Sequence, residues 1–304
     1  MLTVLRRMLS SSSFSSSPLL SSFSLSPSSS SNRARSLSVL VVQMAIGTYL
    51  ISSGLLGGLL SIVESMGPTD PNFMAYVVVQ IAVGILLTAG LFTRVAAVVL
   101  IGLFASSFAV QGMAAALDQI MLLGVGLALV FMGGSRYSLD HLMSKKMSVP
   151  SVVLRGLARL DSHGLFLPSL RMAFGANLIW LGLTEKMLAP ELFVAVMEKF
   201  GLSPVGVDSV TASFGAGFIE IAIGVFYLLG IRMRVVSAAM FGILIFTVVT
   251  FGESPIAHIV MFAIAATFVI RGRDPLTVVE LARISPIARK IKNVMLFRMY
   301  ADAN

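Results

Sequence analysis

Five ionisable residues in the second half of this chain have types that could move protons or hold a polar head group: Glu185, Lys186, Glu220, Glu253 and His258. Glu220 poses the sharpest question, because it sits inside the apolar run "FGAGFIEIAIGVFYLLG" from Phe214 to Gly230. A charge at the centre of a bilayer costs about 2.5–3.5 kcal/mol on insertion scales, so such residues usually pair or function. Glu220 is therefore expected either to share a proton with a neighbour or to pair with Lys186. Glu220, Glu253 and His258 are the candidate catalytic residues, as proton carriers. Glu185, Lys186 and Trp180 are the candidate binding residues. A second reading stays open, in which a buried pair or network only fixes helix packing. No metal site is expected: one histidine with scattered glutamates is poor ligand chemistry, and Pro255 interrupts Glu253 and His258.

The elements that must position these residues are membrane helices. Of 304 residues, 57% are hydrophobic and 12% charged, with a mean hydropathy of +0.94. Soluble domains are about a quarter charged, and several apolar runs here approach or exceed the length of a membrane span. The runs are too continuous for barrel strands, which leaves helices as the way to satisfy the backbone in lipid. Apolar segments fall near 37–63, 73–93, 95–113, 119–134, 169–188, 212–231, 235–252 and 256–270. With no cysteine, disulfides, thiol catalysis and Cys-ligated clusters are excluded. Of three histidines, His141 and His163 lie in a basic connecting segment, so a bis-His haem between spans is not available.

The charges sort by side. With the N-terminus taken as inner, the inner segments hold 20 of the 22 Lys/Arg, and the outer side keeps only Lys186 and Lys199. This positive-inside bias predicts both termini inside and explains the net charge of +8 through anionic lipid, without nucleic acid. Residues 151–160 and 278–296 mix apolar residues with Arg and Lys and read as helices lying on the inner face. Residues 1–36 differ in kind. Between Ser10 and Ser31, 15 of 22 residues are serine, and Arg6, Arg7, Arg33 and Arg35 are the only charges, the composition of an organellar transit peptide. A disordered tail, or upstream sequence from a wrongly chosen start, is the other reading. The expected location is an organellar inner membrane if this segment is a transit peptide, and otherwise the plasma membrane.

The chain repeats itself. "QIAVGILLTAGLFTRV" (80–95) lies over "EIAIGVFYLLGIRMRV" (220–235) at an offset of 140, and "MAIGTYLISSGL" (44–55) over "MAFGANLIWLGL" (172–183) at an offset of 128. The second copy thus carries 12 extra residues between its first and second helices. Each copy holds four helices, so the copies run parallel, related by an axis along the membrane normal. Gly217 and Gly224 flank Glu220 on one face, which turns it toward the bundle. Arg94 and Arg234 read as inner-surface anchors ending the second helix of each copy. Where the second copy has Glu185, Lys186, Glu220, Glu253 and His258, the first has Gly57, Gly58, Gln80, Met113 and Asp118. The first copy reads as scaffold and the second as the site. Glu220 lies 12 residues from Arg232, about 18 Å at 1.5 Å per residue, slightly outside the midplane. The insertion "PELFVAVMEKFGL" (190–202) sets Leu192, Phe193, Val196 and Phe200 on one face, as an interfacial helix able to lid a pocket.

"GLFTRVAA" (90–97), "GGSRYSLD" (133–140), "WLGLTEKML" (180–188), "EIAIGVFYLLGIRMR" (220–234) and "FGESPIAHIVMF" (251–262) resemble the DoxX family of four-helix membrane proteins. The resemblance spans about residues 40–275 as two tandem units. It divides the chain into a leader 1–36, a first unit 37–140, a basic amphipathic linker 141–168, a second unit 169–275 and a basic tail 276–304. The second unit departs from the pattern, ending "RGRDPL" (271–276) in place of "GSRYSLD". The resemblance implies association with quinone-linked oxidoreductases, including a thiosulfate:quinone oxidoreductase subunit. The expectation is an all-α membrane protein of eight transmembrane helices whose second unit binds a quinone or other amphipathic small molecule. No cofactor is intrinsic, so electrons would need bound quinone or a soluble or membrane partner subunit. Membrane lipid and a homo-oligomer are the other partners considered. Three carboxylates against one lysine and a mostly neutral histidine disfavour an anion such as thiosulfate. The competing class is a non-enzymatic scaffold, carrier or assembly factor.

Overall fold

A computed structural model of the chain describes residues 29–58, 60, 73–144, 164–201, 207–272 and 277. The leader up to Ser28, the amphipathic segments 151–160 and 278–296, and the "RGRDPL" end beyond Gly272 lie outside the described residues. Every regular element among the described residues is helical. In order these are α1 (Ser29–Leu55), α2 (Phe73–Ala89), α3 (Thr93–Val110), α4 (Met113–Asp118), α5 (Ile120–Met132), α6 (Leu139–Ser144), α7 (Phe166–Leu181), a π-helical turn (Gly182–Leu188), α8 (Pro190–Lys199), α9 (Ser209–Leu229), α10 (Met233–Phe251) and α11 (Ile259–Arg271).

Five of these are long and apolar enough to cross a membrane: Asn32–Leu55, Thr93–Val110, Phe166–Leu188, Ser209–Leu229 and Met233–Phe251. Met74–Ala89, Ile120–Met132 and Ile259–Arg271 are shorter apolar helices. Phe218, Ile219, Val235, Phe246 and Val249 project outward from α9 and α10. Water would not tolerate so large an apolar surface; lipid covers it without penalty.

Inside, one continuous apolar core runs from Val39 to Phe268. In the second half it centres on Phe174, Tyr227 and Phe268, whose rings meet edge to face at 4.9 and 5.6 Å. The positions 128, 140 and 139 residues earlier are Ile46, Leu87 and Leu129, equally buried. Helices approach closely where both carry glycine. A Cβ on Gly47 would lie 2.7 Å from the Gly84 carbonyl oxygen, and one on Gly175 would lie 2.7 Å from that of Gly224. In lipid, where no hydrophobic force draws helices together, this intimate packing is a main source of association.

The turns coincide as well. Phe92 (φ 49°) and Arg232 (φ 46°) are both left-handed, just ahead of α3 and α10. Leu91 N–H donates to Leu86 C=O and Ile231 N–H to Phe226 C=O, closing α2 and α9 in the same way. This geometry corrects the reading of Arg94 and Arg234. They do not end the second helices but open α3 and α10, and a Cβ on Gly133 or Gly272 would meet their Nε atoms at 3.1 and 2.9 Å. Their side chains lie against the turn after α5 or α11. Arg171, one of the basic residues counted on the inner side, is buried and donates to the Tyr227 and Leu228 carbonyls. There its charge complements the carboxyl end of α9.

The apolar segments differ from the helices at several ends. The first is helical only to Leu55, the fourth starts at Ile120 after a separate short helix, α4, and the eighth begins at Ile259 after a turn. The "GGSRYSLD" segment acts as a clasp. Asp140 accepts from Phe92 N–H at 2.7 Å and Thr93 N–H at 2.9 Å, capping α3. Gln43 joins it, donating to Thr93 Oγ1 at 3.1 Å and accepting from Ser135 N–H at 3.1 Å. Replacing Asp140 by alanine removes both bonds to the helix start and is expected to cost about 1–2 kcal/mol. A lowered thermal midpoint in detergent, with Asp140→Asn closer to wild type, is the outcome to look for.

Candidate functional site

The site rests on the crossing of α7 and its π-helical extension over α9. Gly175, Ile179, Gly182 and Lys186 form one stripe, and Gly217, Ile221 and Gly224 the facing one. A Cβ on Gly217 would lie 2.8 Å from the Gly182 carbonyl oxygen and 3.0 Å from Lys186 Cβ. A Cβ on Gly182 would lie 3.3 Å from Glu220 Cβ. The two backbones are thus close enough for Lys186 and Glu220 to meet, and Lys186 Nζ stands 2.6 Å from Glu220 Oε2. Their side chains are only 17% and 19% exposed, so the pair is largely shielded from water.

The π-helical turn presents Lys186 together with Glu185. Ala189 N–H reaches back five residues to the Thr184 carbonyl at 3.1 Å. Ser213 Oγ, from α9, donates to the Lys186 carbonyl at 2.9 Å. Such turns are rare and concentrate at functional sites. Nothing in the spacing of residues 169–188 announces one. Glu185 is nearly half exposed and stands 3.9 Å from Lys186 Nζ. Its carboxylate also feels the charges of Glu220, Asp118 and Glu253.

His258 and Glu253 form a close hydrogen-bonded pair across the turn between α10 and α11. Trp180 reaches the first half of the chain: its Nε1–H donates to Asp118 Oδ1 at 2.6 Å. Asp118 is therefore a member of the cluster that sequence reasoning assigned to the scaffold. Burial raises its carboxyl pKa, and the Trp180 hydrogen bond opposes that rise. The counterpart of Glu220 behaves quite differently. Gln80 is buried, accepts from Leu60 N–H, and has an Nε2 within 2.7 Å of Ser53 Oγ and 3.2 Å of the Leu50 carbonyl. Its network is local and involves no charge.

The insertion helix α8 packs by Phe193 and Phe200 against Phe251, with ring centroids 6.5 and 5.9 Å apart. Its most buried residue is Met197, whereas Leu192, expected on the packed face, is exposed. Among the described residues, no group of three or more His, Asp or Glu could hold a metal ion.

The family model described as "TQO small subunit DoxD" matches residues 8–161, just over half of the chain. The chain belongs to the DoxD/DoxX family. No curated protein and no solved structure matched. The DoxX match and the exposed apolar helices make this an integral membrane protein. The matched region contains "GLFTRVAA", the Asp140 clasp and Asp118, while Glu185, Lys186, Glu220, Glu253 and His258 lie beyond it.

Breaking the central ion pair should be costly. Lys186→Ala leaves Glu220 without its counter-charge, and losing one partner of a buried pair costs about 3–5 kcal/mol. The double variant Lys186→Met with Glu220→Gln is expected to recover most of that loss, as a double-mutant cycle on thermal or denaturant unfolding would show. Gly217→Ala should also destabilise, by roughly 1–3 kcal/mol through forced separation of α9 from Gly182 and Lys186. Gly242→Ala is its control, since a Cβ there meets nothing within 4 Å.

Proposed function

We propose that this chain is a membrane subunit of a quinone-linked oxidoreductase system. In this reading eight transmembrane helices form two parallel four-helix units, 37–140 and 169–275, with both termini on the inner side. The matching glycine crossings and left-handed turns at Phe92 and Arg232 support the two-unit arrangement. A quinone or other amphipathic small molecule binds in the outer half of the second unit. Glu220, Glu253 and His258 carry the protons, and Glu185, Lys186 and Trp180 hold the head group. Electrons pass to or from a partner subunit.

The observation that carries the proposal is the Lys186–Glu220 pair at 2.6 Å between apolar helices, with Glu185 partly exposed beside it. A lysine bridging a shielded and an exposed carboxylate offers a short route for protons between bilayer interior and surface. It also bears on the ligand's charge. Lys186 is already flanked by carboxylates, so a dianion such as thiosulfate would enter against net negative charge, whereas a neutral head group would not.

The alternative is a non-enzymatic scaffold, carrier or assembly factor. It is favoured by the fact that Lys186 and Glu220 neutralise each other without a ligand. Purification of the full chain, with identification of co-extracted quinone and partner subunits, separates the two. The oxidoreductase reading expects bound quinone in the wild type and its loss in a folded Glu220→Gln variant. It also expects no competition from thiosulfate. A protein isolated without quinone or partner, and unaffected by Glu220→Gln, would sink it.

A further inference from the structure

Asp118 belongs to the first half of the chain and closes α4. Its carboxylate accepts the Trp180 indole N–H at 2.6 Å, and its main-chain carbonyl accepts from Asn177 Nδ2 at 2.8 Å. The neighbouring Gln119 takes the Tyr49 hydroxyl at 3.2 Å. The corner between α4 and α5 is therefore held from α1 on one side and from α7 on the other. Nearby, α5 and α7 are in close contact: a Cβ on Gly124 would lie 2.7 Å from the Ser169 carbonyl oxygen. The charge of Asp118 also acts on Glu185, one turn beyond Trp180.

We infer that Asp118 is a positioning residue of the candidate site, contributed by the first half to orient Trp180 beside Glu185 and Lys186. The site is then one structure built by both halves. A bond from a neutral N–H to a carboxylate is shorter and roughly twice as strong as one between neutral groups. It fixes the indole plane, which at a helix end would otherwise be free to change rotamer. The Asn177 bond holds the Asp118 backbone, so the carboxylate has a set direction. The corresponding position in the second half is His258, which turns to Glu253. Only the first half sends this side chain across.

The inference rests on the proposed ligand reading for the molecule bound, but its test does not depend on that molecule. Trp180 is the chain's only tryptophan, so intrinsic fluorescence of the full-length protein reports on this one residue. Asp118→Asn keeps an acceptor in place, and Asp118→Ala removes it. The expected result is a shifted emission maximum and stronger acrylamide quenching in Asp118→Ala, with Asp118→Asn close to wild type. Should the alanine variant not fold, Asp118→Ser, too short to reach the indole, gives the same comparison. Emission and quenching unchanged on losing the carboxylate would overturn the inference. In the same samples a short-chain ubiquinone analogue is titrated. Quenching of Trp180 that needs about tenfold more analogue in Asp118→Ala supports the shared site. An analogue that never quenches wild type counts against the ligand reading, while the acrylamide comparison still decides the role of Asp118.

Discussion

Two helix backbones in lipid come close only where side chains let them, and here that permission is given by glycine. Gly175, Gly182, Gly217 and Gly224 bring α7 and its π-helical extension against α9 at carbonyl-to-Cα range. At that separation Lys186 and Glu220 span the gap directly. A larger residue at any of these crossings would push the helices apart and leave both charges in an apolar medium. The charges in turn explain why the crossing carries a polar load that its first-half counterpart lacks. Around Gly47 and Gly84 the same close approach serves only Gln80 and its neutral bonds.

Much of this could be read from residues alone. The glycines on either side of Glu220 showed which face it presents, and pairing with Lys186 was one of the two outcomes expected for it. The two offsets set Gly47 over Gly175 and Gly84 over Gly224, and the contacts Gly47–Gly84 and Gly175–Gly224 fall at those matched positions. Other features left no trace in the pattern. The π-helical turn uses residues that suit an ordinary helix, and its excess residue shows only in hydrogen bonds. Asp118 was hidden by the comparison of the two copies, which set it beside His258 and so within the scaffold. Its partner, Trp180, lies 62 positions away, and no local spacing links them. Arg171 entered the sequence reading only as one of the inner-side charges. Counting basic residues by side assigns a charge to a surface, yet this guanidinium turns inward to the end of α9.

The family match adds a contrast. It covers the half in which Gln80 sits in a satisfied, neutral network, and it ends before the ion pair. The clasp of Asp140 on α3 lies within the match as well. The charged set around Glu220 lies beyond the match, while Asp118, inside it, accepts the Trp180 indole N–H from the other side of that boundary.

The π-helical turn also constrains the length of the chain. A π-helical turn holds one residue more than an α-helical one, closing bonds to i+5 in place of i+4. Removing a single residue between Gly182 and Lys186 would take out that excess and let the segment close with α-helical bonds, losing the Ala189-to-Thr184 bond that now holds it. Substitutions here change what the site contains, but a one-residue deletion would change how the segment is wound. Spacing, as much as chemistry, is what this short segment has to preserve.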